Sequence, residues 1–515
     1  MKRFLTICVT VLLVAMAASA QRRISCIRPS DKSGTRGITE LPKPPQLDPQ
    51  KTYRQAVILI AFDDVDFSME DPASYYKRVF NESGFNEGNG LGCVADYFRD
   101  QSAGIFNVKF DIYGPFKVSI KASGHDSKYY ADDAQREALQ KLYQTESTNF
   151  SIYDWDGDGL VNQLVFVLAG FNGSETSGYT VPNTGKLTNS PKLPGDLYPY
   201  VTSVSCEMWG NRQLCGIGTI VHEFSHTLGL PDLYPLGNAT AYSVVDEWDL
   251  MDGGNFTNYG WCPPNLSAME KLYLGWANPK ELTSATTITG MKSVADGGQT
   301  YIIRNSAHDD EYYLLENRQQ KGWDYGVPGN GLLIFHVDYN AYSWNNNAVN
   351  ISDTHYRYDL FHADRKDYRA WDPSNTGNVP NKWTLAPCLR NKCLSTSPYP
   401  YTDASTLVVN ASLTNDSDPA ATLYNANAEG VKLMSKPVTN IQMAADGTIS
   451  FDFMGGTSAI NGIHASEMKA EVWYDLNGRQ LSGRPEKSGL YIIRTSDGNY
   501  KKCILKLLLS DKNRN

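Results

Sequence analysis

The chain has 515 residues, 41% of them hydrophobic, enough for a large core and for about two to four domains rather than one. Its formal charge of −9 argues against nucleic acid or an anionic membrane surface as partner, and mild acidity alone says little beyond solubility.

At the N-terminus, Lys2 and Arg3 precede an apolar run from Phe4 to Ala17, and Ala18-Ser19-Ala20 forms a small-x-small site before Gln21. This is the pattern of a cleaved secretory signal peptide over residues 1–20. No later run reaches the roughly 18 apolar residues that a membrane span needs. A soluble, exported monomer at the cell surface or in the medium is expected. With Cys8 in the signal, the nine cysteines leave eight, an even number suited to an oxidising compartment. Spacing suggests Cys206 with Cys215 and Cys388 with Cys393 as local staples, and Cys93 could then pair with Cys262, among about 105 connectivities.

Residues 21–50 are basic and then rich in Pro, Gly and Asp, without periodicity. They read as a disordered leader, or as a short pro-segment placing Cys26 or Asp31 on an active-site metal. Gln55–Phe62 is an apolar run suited to a buried strand, Pro72–Phe80 is helical, and a second helix from Val94 breaks at Gly104 before a strand at Asn107. Gln135–Glu146 reads as a further helix. Next come Asp154, Asp156 and Asp158, with Gly159 and Asn162, ahead of a strand over Leu164–Ala169. Alternating carboxylates with Gly in sixth place are the first half of a calcium loop, although Val165 stands where an EF-hand has its glutamate. Three Asp in one turn repel one another without a cation, so Ca2+ is favoured over a plain Asp/Gly turn. Lys186–Tyr200 reads as a surface loop over the cleft.

His222-Glu-Phe-Ser-His226-Thr-Leu-Gly229-Leu-Pro-Asp232 follows. Histidines four apart share one helix face and can reach one ion. Ile217, Ile220, Val221, Phe224 and Leu228 give that helix a buried side. Glu223 projects about 100° round from His222, placed to take a proton from metal-activated water rather than to bind the metal. Gly229 can adopt φ > 0, stop the helix and let Asp232 turn back toward the same ion. A bare HExxH also occurs on salt-bridged helix faces, but the added Gly and Asp match the extended zinc motif with Asp in its last place. Met251, in Trp248-Asp-Leu-Met251, stands where a metzincin-type enzyme has its methionine turn. A helix over about Leu266–Leu274 follows, and Trp276-Ala-Asn-Pro279 closes the catalytic part.

Beyond residue 280 short β-like runs alternate with Gly, Asn and Asp: Gln299–Arg304, Glu311–Asn317, Gly331–Val337 and Thr448–Phe453. His336 and Asp338 alternate on one such strand as metal candidates, with a structural role preferred. After Gly455-Gly456, Val472–Tyr474 and Leu490–Ile493 form the core of a small β unit.

Asp96-Tyr-Phe-Arg-Asp-Gln-Ser102, the Asp154–Gly159 loop, His222–Tyr234, Trp248–Met251, Glu270–Trp276, Tyr313–Arg318 and Gly331–Asp338 together resemble the immune inhibitor A family of secreted zinc metalloproteases, over roughly residues 55–455. The resemblance implies a metzincin-like catalytic domain, hydrolysis of extracellular proteins, zinc on His222 and His226, Glu223 as general base and Asp232 aligned with the third ligand. The tail, with Tyr474–Gln480 and Gly489–Gly498, is similar to sorting domains of type IX secretion.

The expected fold is α+β: signal peptide 1–20, leader 21–50, metalloprotease domain 51–280, β-rich accessory domain 281–455 and a small β-sandwich-like sorting domain 456–515. The expected function is that of a secreted zinc endopeptidase, with Ca2+ as a structural ion. Its partners would be protein or peptide substrates and the secretion machinery. The alternatives are a binding protein or adhesin on a protease scaffold, and a zinc amidase.

Overall fold

The computed structural model describes residues 40–505 except 123–126, 146–147, 174, 175, 177, 188, 237–242, 366–393, 458–469, 477, 486, 488 and 496–499. The signal peptide, Cys26, Asp31, Cys388 and Cys393 lie outside the described residues. The architecture is mixed α/β, with several sheets and few helices. Among the described residues no helix is long and apolar enough to cross a membrane.

Strand β1 (Thr52–Ala61) is unbrokenly apolar from Ala56 to Ala61, where both its faces are covered. Val57, Leu59 and Ala61 enter one core, and Ala56, Ile58 and Ile60 the other. Beside it lie β2 (Asn107–Lys117), β3 (Leu160–Phe171), β4 (Asn183–Gly185) and β5 (Tyr198–Met208), in the order β2-β1-β3-β5-β4. All pairings are parallel except that of the edge strand β4 with β5. Helices α1 (Pro72–Asn81) and α2 (Val94–Gln101) cover the first face, and α3 (Ser127–Thr145) the second. Helix α4 (Gly218–Thr227) joins α1 and α2 on the first face through Ile220, Val221 and Phe224. Helix α5 (Ala268–Tyr273) follows, with Ser267 and Glu270 forming a reciprocal cap at its start.

Three expectations are corrected. Lys186–Tyr200 was expected to be a loop throughout, but its end enters β5, a buried strand whose Ser, Thr and Cys residues hide its apolar content. The leader is not loose over residues 40–50: Leu41 and Pro42 are buried, Leu41 packs with Val201 and Tyr200, and its N–H donates to the Asn345 carbonyl at 2.7 Å. A proline-rich segment can dock this way because it has few N–H groups to satisfy. Neither Cys206–Cys215 nor Cys93–Cys262 forms a disulfide. The Cys93 sulfur instead caps α2, accepting from the Asp96 N–H at 3.3 Å, and Cys206 donates to the Thr180 carbonyl.

Past residue 280, β6 (Lys280–Glu281) and β7 (Thr286–Met291) precede β8 (Tyr301–Arg304), β9 (Glu311–Arg318) and β10 (Gly331–Asp338). Helix α6 (Ala341–Asn345) and β11 (Tyr358–Leu360) complete this part, whose sheet runs β11-β10-β9-β8-β6. A short hairpin of β12 (Tyr401–Thr402) and β13 (Val409–Asn410) is followed by β14 (Val438–Met443) and β15 (Ile449–Phe453), which form a sheet with β7 in the order β14-β15-β7. Alternation along β9 and β10 serves two cores. Leu314, Leu333, Phe335 and Val337 join the core that holds α4, whereas Leu315, Leu332 and Ile334 pack with Ile288, Ile449 and Phe451. The core that holds α4 thus runs on without a break across residue 280. In the tail, β16 (Ala470–Tyr474), β17 (Gly489–Thr495) and β18 (Tyr500–Leu505) form one antiparallel sheet around Trp473 and Ile493. Among the described residues this is the one sheet of the tail.

Candidate metal centre

Every residue of α4 is buried, so its polar side chains are held by the protein rather than by solvent. His222 and His226 stand one turn apart with ring centroids 4.9 Å from each other. Each ring has its Nδ1 on a backbone carbonyl: His222 on Leu250 at 2.9 Å and His226 on Leu230 at 2.7 Å. A carbonyl can only accept, so Nδ1 carries a hydrogen and Nε2 is the nitrogen each ring turns inward, where a neutral imidazole offers its lone pair to a metal.

The helix stops where expected. Gly229 has φ +101°, and a Cβ there would lie 2.6 Å from the Pro42 carbonyl oxygen, so both the turn and the docked N-terminal segment require glycine. The returning chain brings Asp232 Oδ1 to 3.3 Å from His222 Nε2 and 3.2 Å from His226 Nε2. That oxygen is buried and accepts no hydrogen bond. A tetrahedral zinc with bonds of about 2.0–2.1 Å separates its ligand atoms by roughly 3.3 Å. The donor types, their spacing and the orphaned oxygen all fit a divalent cation.

Electrostatics point the same way. Burial opposes charge on His226, but Asp232 outweighs it and raises the His226 pKa to about 9. Burial likewise opposes charge on Asp232, and the two histidines overcome it, holding this carboxyl well below the usual range. A carboxylate that holds a proton on its neighbouring imidazole is a site where a metal ion can displace that proton.

Glu223 lies off this face and is buried, which raises its pKa, while His222, His226 and Thr184 pull it down. The Thr184 hydroxyl sits 2.8 Å from both Glu223 Oε2 and the Glu223 carbonyl, and its one proton serves either in turn. Sequence reasoning missed Thr184. It lies on the three-residue edge strand β4, and its contact is made through space.

Met251 is fully buried. Its turn contributes main chain as well as bulk. Leu250 supplies the carbonyl that orients His222, and the Met251 carbonyl accepts from Leu233 N–H at 2.9 Å, beside Asp232.

Two further groups were singled out from the sequence. Asp154, Asp156 and Asp158 come together with carboxylate oxygens within 4.8 Å of one another. Asp154 accepts from the N–H groups of Gly157, Asp158 and Gly159, whereas Asn162 uses its oxygen to accept from Trp155 N–H. His336 Nε2 meets Glu311 Oε1 at 2.9 Å, and Asp338 Oδ2 meets His355 and Arg357 at 2.7 Å each. The pair on β10 is thus tied into local ion pairs, the structural role preferred for it.

Two relatives are similar to the chain over part of its length. Immune inhibitor A of Bacillus thuringiensis subsp. alesti is 24% identical over 323 residues, 52% of this chain and 46% of that protein. Pre-pro-metalloprotease PrtV of Vibrio cholerae serotype O1 (strain M66-2) is 22% identical over 256 residues, 41% of this chain and 28% of that protein. The chain therefore spans less than half the length of either relative. Residues 211–277 match the model of the immune inhibitor A peptidase M6 catalytic domain. The matched segment is the one that carries His222, Glu223, His226, Asp232 and Met251.

Proposed function

We propose that the chain is a secreted zinc-dependent endopeptidase that cleaves extracellular proteins. The observation that carries this reading is the convergence of two inward-facing Nε2 atoms and the bare Oδ1 of Asp232, with the buried carboxylate of Glu223 alongside. His222, His226 and Asp232 would hold the ion. When bound, zinc supplies a Lewis acid that polarises the scissile carbonyl and acidifies the attacking water. Glu223 takes the proton of that water and returns it to the leaving amine nitrogen. With Oε2 held by Thr184, Oε1 is the atom left to receive the proton. Strand β4 forms the sheet edge beside Glu223, so an extended substrate can pair along it. Export through residues 1–20 and sorting through 456–515 belong to the same proposal.

Purified protein should digest casein, lose activity in a strong chelator and recover it with stoichiometric zinc. Equal cleavage with and without the chelator would sink the metal-dependent reading.

The Asp154–Asp156–Asp158 loop is proposed as a structural Ca2+ site, since three convergent carboxylates favour a cation that binds only the folded loop. Melting curves should rise with calcium in the wild type. In an Asp156→Asn variant they should rise less, and coincident wild-type curves with and without calcium would leave a plain Asp/Gly turn.

A further inference from the structure

Asp232 is held from far along the chain. Asn347 lies just past α6, 115 residues later, and both ends of its amide engage this one aspartate. Its Oδ1 accepts from the Asp232 backbone N–H at 2.6 Å, and its Nδ2 donates to Asp232 Oδ2 at 2.8 Å. The orientation of the amide follows from chemistry, because a backbone N–H can face only an acceptor. With Oδ2 engaged, Oδ1 is the oxygen turned between the two Nε2 atoms, and it accepts no hydrogen bond.

The segment around Asn347 is itself docked. Asn350 Nδ2 donates to the Leu233 carbonyl at 2.7 Å, its own carbonyl accepts from Leu236 N–H, and the Asn345 carbonyl accepts from Leu41 N–H. Asn347 has φ +50°, a left-handed conformation that asparagine tolerates better than most residues.

We propose that Asn347 is a positioning residue that selects Oδ1 of Asp232 as the metal-binding oxygen, so that the β-rich part of the chain completes the metal centre. This rests on the metal-centre reading above. A carboxylate with neither oxygen held can rotate and present either one, and a fixed partner removes that freedom.

The test titrates zinc into the metal-stripped full chain in competition with a chromophoric chelator. Asn347→Gly suits the left-handed backbone and removes only the side chain. Asn347→Asp keeps the acceptor for Asp232 N–H but turns an oxygen, not a donor, toward Oδ2. Zinc affinity should fall about 10- to 100-fold in Asn347→Gly, the usual range for the loss of a ligand's supporting hydrogen bond, and at least as far in Asn347→Asp. The visible spectrum of the cobalt form of Asn347→Asp should change. A wild type that binds one zinc, with Asn347→Asp matching its affinity and cobalt spectrum, would overturn the clamp and leave the metal centre standing. A wild type that takes up no zinc would overturn the metal centre itself.

Discussion

Replacing Glu223 with glutamine is expected to lower kcat on casein by about a hundred- to ten-thousand-fold, the usual contribution of a positioned general base, while bound zinc stays at one per chain. The side chain keeps its size and its place beside Thr184, and no part of it lies among the three converging atoms. Asp232→Ala should behave in the opposite sense, since it removes one of those atoms: metal content falls first and activity follows. Metal analysis beside initial rates separates the two. Wild-type turnover in Glu223→Gln would mean that another group moves the proton.

Arg318→Met is expected to lower stability by about 3–5 kcal/mol, the cost of leaving buried charges without their partner. The Arg318 side chain is fully buried on β9, where Nε and Nη2 meet Glu316 Oε1 at 2.9 Å and Nη1 meets Asp324 Oδ1 at 2.8 Å. Burial disfavours its charge, but Asp324 and Glu316 outweigh that and hold the guanidinium protonated. The two carboxylates also reach back across residue 280. Glu316 Oε2 accepts from Ala268 N–H at 2.8 Å, and Asp324 Oδ1 from Asn265 N–H at 2.9 Å. The loss should therefore appear in the unfolding midpoint of the catalytic part as well. An unchanged midpoint in urea would show that the buried charges find other compensation.

What could be read beforehand is what one helix carries. His222, Glu223 and His226 follow from helical periodicity, Gly229 from the need for a left-handed turn, and Asp232 from a short return, so the structure places them as the spacing suggests. Strand β1 was equally plain because it is buried on both faces. Strand β5 was not, since Thr202, Ser203 and Ser205 are buried there and mimic a loop in sequence. Thr184 and Asn347 had no local signal, because each meets its partner, Glu223 or Asp232, only through side-chain contacts set by the tertiary fold. Leu41 and Pro42 were hidden by the polar, proline-rich residues around them. The cysteine pairing failed for a related reason: even numbers and spacing say nothing about where a strand or a cap will place each sulfur.

The sheet built on β9 and β10 faces two interiors, and this limits how such a chain can change over generations. Leu333 answers to the residues around α4, whereas its neighbour Leu332 answers to β7 and β15. A change of volume on either strand must be matched by one on the side it faces, so drift in the two parts is coupled. Recombination that carried residues 51–280 into another gene would transmit the recognisable motif and abandon the wall it leans on. Lineages of this architecture should therefore exchange their ends far more readily than their middle.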